Sequence, residues 1–190
     1  MKQWIARKFL ARFSRRYSYD VSYMEAMLAE SPAAFFKFGR LQAVSSHRSA
    51  VPLDAYFATK LIAAASADCG PCTQLCVEMA REAGMPDEQI AAVLEDRGSV
   101  LDEPARIGAA FARALASDRD ALAAARDRAR ALWGEAAVVE LSLAFATAQV
   151  YPVVKTGMGY GELCRRVRVD TRAVEVSRPP AAWDVAAAEA

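Results

Sequence analysis

Histidine is nearly missing from this chain: His47 is the only one in 190 residues. It sits in Ser45-Ser46-His47-Arg48-Ser49, a polar loop in which a histidine reads as a surface residue rather than a base. No Ser-His-Asp set and no Gly-rich phosphate loop appear. Net charge is also lacking, since 24 Lys+Arg against 23 Asp+Glu leave +1. That balance excludes nucleic-acid binding by the field of the whole protein. No long apolar run is uninterrupted. The longest, 136–154, contains Glu140, Ser142, Thr147 and Gln149, with Pro152 near its end, and so reads as a central core helix rather than a membrane span. Charges break every apolar stretch near the N-terminus and no small-residue cleavage site follows, so no secretory signal is read and the protein is expected in the cytoplasm. There is no fixed-period repeat.

What is present suits one globular domain: 54% hydrophobic and 25% charged residues, on a chain long enough to bury a core. The pattern predicts helices almost throughout. A basic first segment carries Lys2, Arg7, Lys8, Arg12, Arg15 and Arg16 before any acid. Trp4, Ile5, Phe9, Leu10 and Phe13 cluster at helical spacing between them. Such a helix docks on a core or a partner subunit, or lies on an anionic membrane surface. Helices are then expected from Tyr19 to Glu30, from Pro32 to about Val44, and from Leu53 to Ala67. A cysteine-bearing helix capped by Asp68 and ending at Gly84 follows, then a short one opened by Pro86. Two Ala- and Arg-rich helices precede the apolar one. Past Gly161, Val167, Val169, Val174 and Val176 alternate loosely, predicting an extended tail along a neighbouring subunit. The organisation is thus a helical arm over residues 1–50, a helical core over 51–161 and a tail over 162–190.

Three of the four cysteines lie within eight residues. In a chain without disulfide-scaffold character this points to redox or metal chemistry. Cys69-Gly70-Pro71-Cys72 falls at a helix start, where unpaired N–H groups and the helix dipole favour a thiolate. The two-residue spacing brings both sulfurs to one face, within reach of a local disulfide. Helix-terminus physics makes Cys69 the more acidic thiol. Cys76, one turn beyond Cys72, is a further candidate. Lys60 on the preceding helix is placed to lower a thiol pKa and Asp68 to raise one. Zinc held by Cys69, Cys72 and Cys76 with His47 or Cys164 is a weaker alternative, because the second ligand pair usual for tetrahedral zinc is missing. No metal or cofactor is assigned. Buried, inert cysteines remain the plain reading.

Leu61 to Leu94, LIAAASADCGPCTQLCVEMAREAGMPDEQIAAVL, resembles the core of the alkylhydroperoxidase D/carboxymuconolactone decarboxylase family, and the likeness extends loosely over Pro52 to Gly161. The helix before the cysteines, Ala58 to Ala65, is unlike the strand that precedes the same tetrapeptide in thioredoxins. The resemblance implies an all-α bundle, a homo-oligomer, and a thiol–disulfide oxidoreductase with weak alkyl hydroperoxidase activity. It further implies a peroxide or disulfide substrate and a dithiol reductant, with Cys72 attacked by peroxide and Cys69 resolving. The family's relay histidine corresponds here to Cys76 and its relay glutamate to Phe57. Glu140, the lone acid of the apolar helix, is the candidate stand-in carboxylate, although such a residue more commonly pairs with an arginine. Decarboxylase chemistry belongs to relatives without a cysteine pair. The other open reading is a non-catalytic helical scaffold, or a membrane-surface binding module, that has lost the relay.

Overall fold

The structure, a computed structural model, describes residues 2–161 and 166–177. The part of the expected tail over 178–190, and Cys164, lie outside them. The described chain is almost entirely helical: α1 (Lys2–Tyr17), α2 (Ser22–Glu30), α3 (Pro32–Phe38), α4 (Leu41–Ser45), α5 (Leu53–Ser66), α6 (Gly70–Ala83), α7 (Asp87–Leu94), α8 (Glu103–Ser117), α9 (Arg119–Trp133) and α10 (Glu135–Gly157). One small antiparallel hairpin follows, β1 (Arg166–Val169) and β2 (Arg172–Glu175). An all-α fold, as expected from the periodicity, is what the chain adopts.

Helix α5 is the axis. Ten of its 14 residues are buried, which its Ala-rich sequence permits because small side chains let neighbours approach from every side. The closest neighbour is α8. Gly108 lies against the Ala55 backbone, where an added Cβ would come within 2.7 Å of Ala55 Cα. Thr59 Oγ1 donates to Ala55 O at 2.9 Å and to Gly108 O at 3.1 Å, tying the two helices at this crossing. Helix α10 covers another side of α5 with Leu141, Ala144, Phe145 and Ala148. By length and composition α10 alone among the described helices could cross a membrane. Here it is a packed core helix with Glu140 and Lys155 buried along it.

The basic segment does form a helix, but its inward stripe is Ala6, Leu10, Phe13 and Tyr17. Trp4, Ile5 and Phe9 face out at 60%, 55% and 62% exposure. The expected helix from Pro32 to Val44 is broken by a turn at Gly39-Arg40. The arm of residues 1–50 is packed into the same core, since Leu10, Tyr19, Tyr23 and Leu28 share one cluster with Cys69 and Cys72.

The valine alternation beyond Gly161 is a hairpin on this chain's own core rather than a strand along a neighbour. Asp170, with φ of 53°, makes the turn that pairs Val167 with Val174. Val167, Val169, Val174 and Val176 all bury against the cluster that holds Ile90 and Leu94. Gln74 on α6 grips the free strand edge, accepting from Arg168 N at 2.7 Å and donating to Arg168 O at 2.9 Å. Ser177 N donates to Leu94 O at 2.7 Å.

Two outcomes are expected. Gly108→Ala forces α5 and α8 apart and lowers unfolding stability by about 2–3 kcal/mol, the usual cost of overpacking; an unchanged denaturation midpoint would contradict this crossing. Asp54, in the first turn of α5, faces Asp102, and burial with that like charge raises its pKa from 3.8 to about 6. A raised folded pKa means the contribution is full below the unfolded value and lost as pH rises through 6. Asp54→Asn therefore gains stability relative to the parent between pH 4 and pH 7, by about 1–2 kcal/mol after screening, in paired thermal melts.

Candidate functional site

Cys69 and Cys72 are joined as a disulfide, with Cα atoms 5.3 Å apart. Local sequence places them. Asp68, expected as the cap of α6, instead takes a left-handed φ of 55° and turns the chain from α5 into α6. Cys69 is then the N-cap, its Sγ accepting from Cys72 N at 3.3 Å. Pro71 lies in the first turn, where its missing N–H costs no helical bond. Thr73 Oγ1 donates to Cys69 O at 3.0 Å. At the far end Gly84, φ 99°, closes the helix with Met85 N on Ala80 O.

The two sulfurs differ in setting. Cys69 is fully buried, whereas Cys72 lines a cavity of about 730 Å³ walled by Phe13, Phe35, Phe38, Leu75 and Met79 among others. Tyr19 Oη lies 3.5 Å from Cys72 Sγ. Burial pushes the Tyr19 phenol up to about 12, with the Tyr23 hydroxyl opposing and the Cys76 and Asp20 charges reinforcing. At neutral pH Tyr19 thus keeps its proton and, with Cys72 in the disulfide, is the donor of this contact. Tyr23, fully buried, is raised still further by desolvation and by the neighbouring Tyr19 hydroxyl. Lys155 Nζ, fully buried, lies 5.0 Å from the Tyr19 ring centroid and 3.4 Å from Asp20 Oδ2. The Asp20 carboxyl is held low by its hydrogen bonds from Ser22, against desolvation, and by Lys155. Tyr19, Tyr23, Asp20 and Lys155 were not legible as site residues. Tyr19 is 53 residues from Cys72 and belongs to no local motif.

Cys76 also lines the cavity but is bonded to nothing. Burial raises its pKa, and Lys60 offsets part of that rise. Lys60 therefore acts on Cys76. Its own pKa is lowered by desolvation, and its ammonium donates to Ser45 O and Ser45 Oγ at 2.9 Å each. Tyr56 Oη donates to the same Ser45 carbonyl. Phe57, at the position of the family's glutamate, packs among apolar side chains.

Glu140 is not a stand-in for that glutamate. Its carboxylate accepts from Ser49 N (2.9 Å), Ser49 Oγ (2.7 Å), Ala50 N (3.0 Å) and Val51 N (2.9 Å). His47 Nε2 stands 3.7 Å away. No arginine pairs with it among the described residues. Desolvation is outweighed by these bonds, so its pKa falls from 4.5 to about 2. It precedes Ala148, which lines the cavity, by about 12 Å of helix at 1.5 Å per residue. Cys69 and Cys72 are committed to each other and His47 sits beside Glu140. No metal-ligand group of three assembles among the described residues.

No family model matches this chain, and no curated protein or solved structure matches it either. The fold and the cysteine geometry therefore carry the functional argument by themselves.

The lowered Glu140 pKa contributes stability above the unfolded value of 4.5, and that stability is lost as pH falls toward 2. Glu140→Gln is expected to cost about 3 kcal/mol at pH 7 and much less at pH 3 in urea titrations, while leaving the Cys69–Cys72 pair able to oxidise. A variant as stable as the parent at pH 7 would remove Glu140 from this role.

Proposed function

We propose that the protein is a thiol–disulfide oxidoreductase of the alkylhydroperoxidase D kind, with weak hydroperoxidase activity, cycling Cys69 and Cys72 between dithiol and disulfide. The observation that carries this is the bonded pair at the start of α6, with Cys72 opening onto an apolar cavity and Cys69 buried beneath it. In the reduced protein the Cys72 thiolate attacks one oxygen of a hydroperoxide. An S–O bond forms as the O–O bond breaks, and the departing alkoxide takes a proton to become an alcohol. Tyr19, the donor on Cys72, is the group in place to supply that proton and to orient the thiolate. The Cys69 thiol then attacks Cys72 sulfenic acid, the S–S bond forms, and water leaves with the Cys69 proton. An external dithiol reduces the disulfide by exchange and is itself oxidised.

The division of labour follows from setting. The Cys72 backbone N–H already points at Cys69 Sγ and favours its thiolate for the resolving step. Cys72 gains its access from the cavity. The absence of a histidine at Cys76 and of a carboxylate at Phe57 leaves no strong base beside the pair, which accords with slow peroxide reduction.

A second reading, a scaffold with inert thiols, is favoured by the near-complete burial of both sulfurs at 0% and 4% exposure. Turnover of an alkyl hydroperoxide with a dithiol reductant separates the two. Cys72→Ser is expected to abolish turnover, and Cys69→Ser to stop after one equivalent with a sulfenic acid trapped at Cys72. Tyr19→Phe should lower the rate by about a hundredfold or more, the usual range for one proton donor. Turnover by Cys72→Ser at the parent's rate would overturn the proposal.

A further inference from the structure

Helix α1 presents to solvent a face that the proposed redox cycle does not use. Trp4, Ile5 and Phe9 project from it at 60%, 55% and 62% exposure, although the helix is docked on the core through Ala6 and Leu10. At 3.6 residues per turn, Lys8, Arg12 and Arg15 stand on the same outward half, between and beside these side chains. No acidic residue occurs in α1. Arg16 pairs with Glu82, and Lys8 lies over the Trp4 ring with Nζ 3.8 Å from its centroid. Arg7, Arg12 and Arg15 have no ion-pair partner among the described residues. The convex face is therefore both apolar and cationic.

We propose that this face docks the protein on the surface of a bilayer containing acidic lipid. Large apolar side chains flanked by lysine and arginine are the pattern of a helix lying in the interfacial plane, with tryptophan at headgroup level and cations on the phosphates. Charge decides between this occupant and a second copy of the chain. An isologous contact through α1 sets the face carrying Lys8, Arg12 and Arg15 against the same cationic face of the other copy, and like charges so placed repel. An anionic surface neutralises them. The convex helix also offers no groove for a partner helix, whereas a soft planar interface admits three projecting side chains. Phe9 and Arg12 line the cavity as well, so docking holds the cavity wall at the lipid surface.

Flotation of the full chain with vesicles tests this without any redox readout, so its failure and the failure of the redox proposal are separable. With vesicles of phosphatidylcholine containing about 30% phosphatidylglycerol at about 0.1 M salt, the protein floats; with pure phosphatidylcholine, or at about 1 M salt, it does not. The double variant Trp4→Ser/Ile5→Ser changes only exposed positions and keeps the parent's circular dichroism, yet its partition falls at least about tenfold. Lys8→Glu/Arg15→Glu loses flotation altogether. Absence of flotation of the parent on acidic vesicles overturns the proposal. So does equal flotation of the folded Trp4→Ser/Ile5→Ser variant. A parent dimer that this variant dissolves, with no vesicle binding by either, assigns the face to contact between copies instead.

Discussion

A carboxylate buried among apolar helices must find donors, and the arrangement of this molecule starts from that requirement at Glu140. It stands on α10, a long apolar helix, and is satisfied by three successive backbone N–H groups, at Ser49, Ala50 and Val51, and by the Ser49 hydroxyl. Those donors are the last residues before α5. Fixing them fixes where α5 begins, and Val51 is buried as a result. Within the first turn of α5, Ala55 meets Gly108 at a distance that admits no side chain on α8. The axis of the bundle is thus pinned at its start by a charge and along its length by small residues. Its far end delivers the chain through the Asp68 turn to Cys69.

The cysteine pair inherits its properties from that placement. An N-cap sulfur above free N–H groups is stabilised as a thiolate by the backbone, and a sulfur one turn on faces an apolar cavity with a phenol beside it. The cavity wall is shared between the first 40 residues and the cysteine helix, Phe13, Phe35 and Phe38 facing Leu75 and Met79. Tyr19 is supplied by the turn between α1 and α2, Tyr23 by the start of α2, and Lys155 by the end of α10. Desolvation keeps both phenols protonated. The site has a phenol beside Cys72 and no histidine or carboxylate at the Cys76 and Phe57 positions, which is the setting from which the slow thiol chemistry proposed above is argued.

Much of the helical framework was legible because its signals are local. Gly84, Pro86 and Gly134 mark ends and starts that the chain uses, and the CxxC pair sits at a helix start as its context implied. What could not be read was set by tertiary contact. Asp68 and Cys69 are both plausible caps, and only the sharp turn out of α5 decides between them. The stripe of α1 was ambiguous because aromatic residues occupy two faces; the quieter series Ala6, Leu10, Phe13, Tyr17 is the one that packs. The valine pairs around Asp170-Thr171 do carry a hairpin signal, two alternating runs about a short polar turn, but it is weak without knowledge of the surface α6 and α7 provide. Glu140 looked chemical because it is a lone acid in an apolar helix, and its backbone donors have no side-chain signature apart from Ser49.

The central claim is that Cys69 and Cys72 form a redox couple in the folded protein. The direct measurement is differential thiol labelling of the native chain after mild dithiol reduction and again after re-oxidation, with the linked peptides identified by mass. The account predicts that Cys69 and Cys72 become labelled together under reduction without loss of helical structure, and rejoin on addition of an alkyl hydroperoxide faster than in buffer, with Cys76 unlinked throughout. A pair that reduces only when the protein unfolds, or that rejoins no faster with hydroperoxide than without, would contradict it and leave the cysteines as a structural staple of the fold.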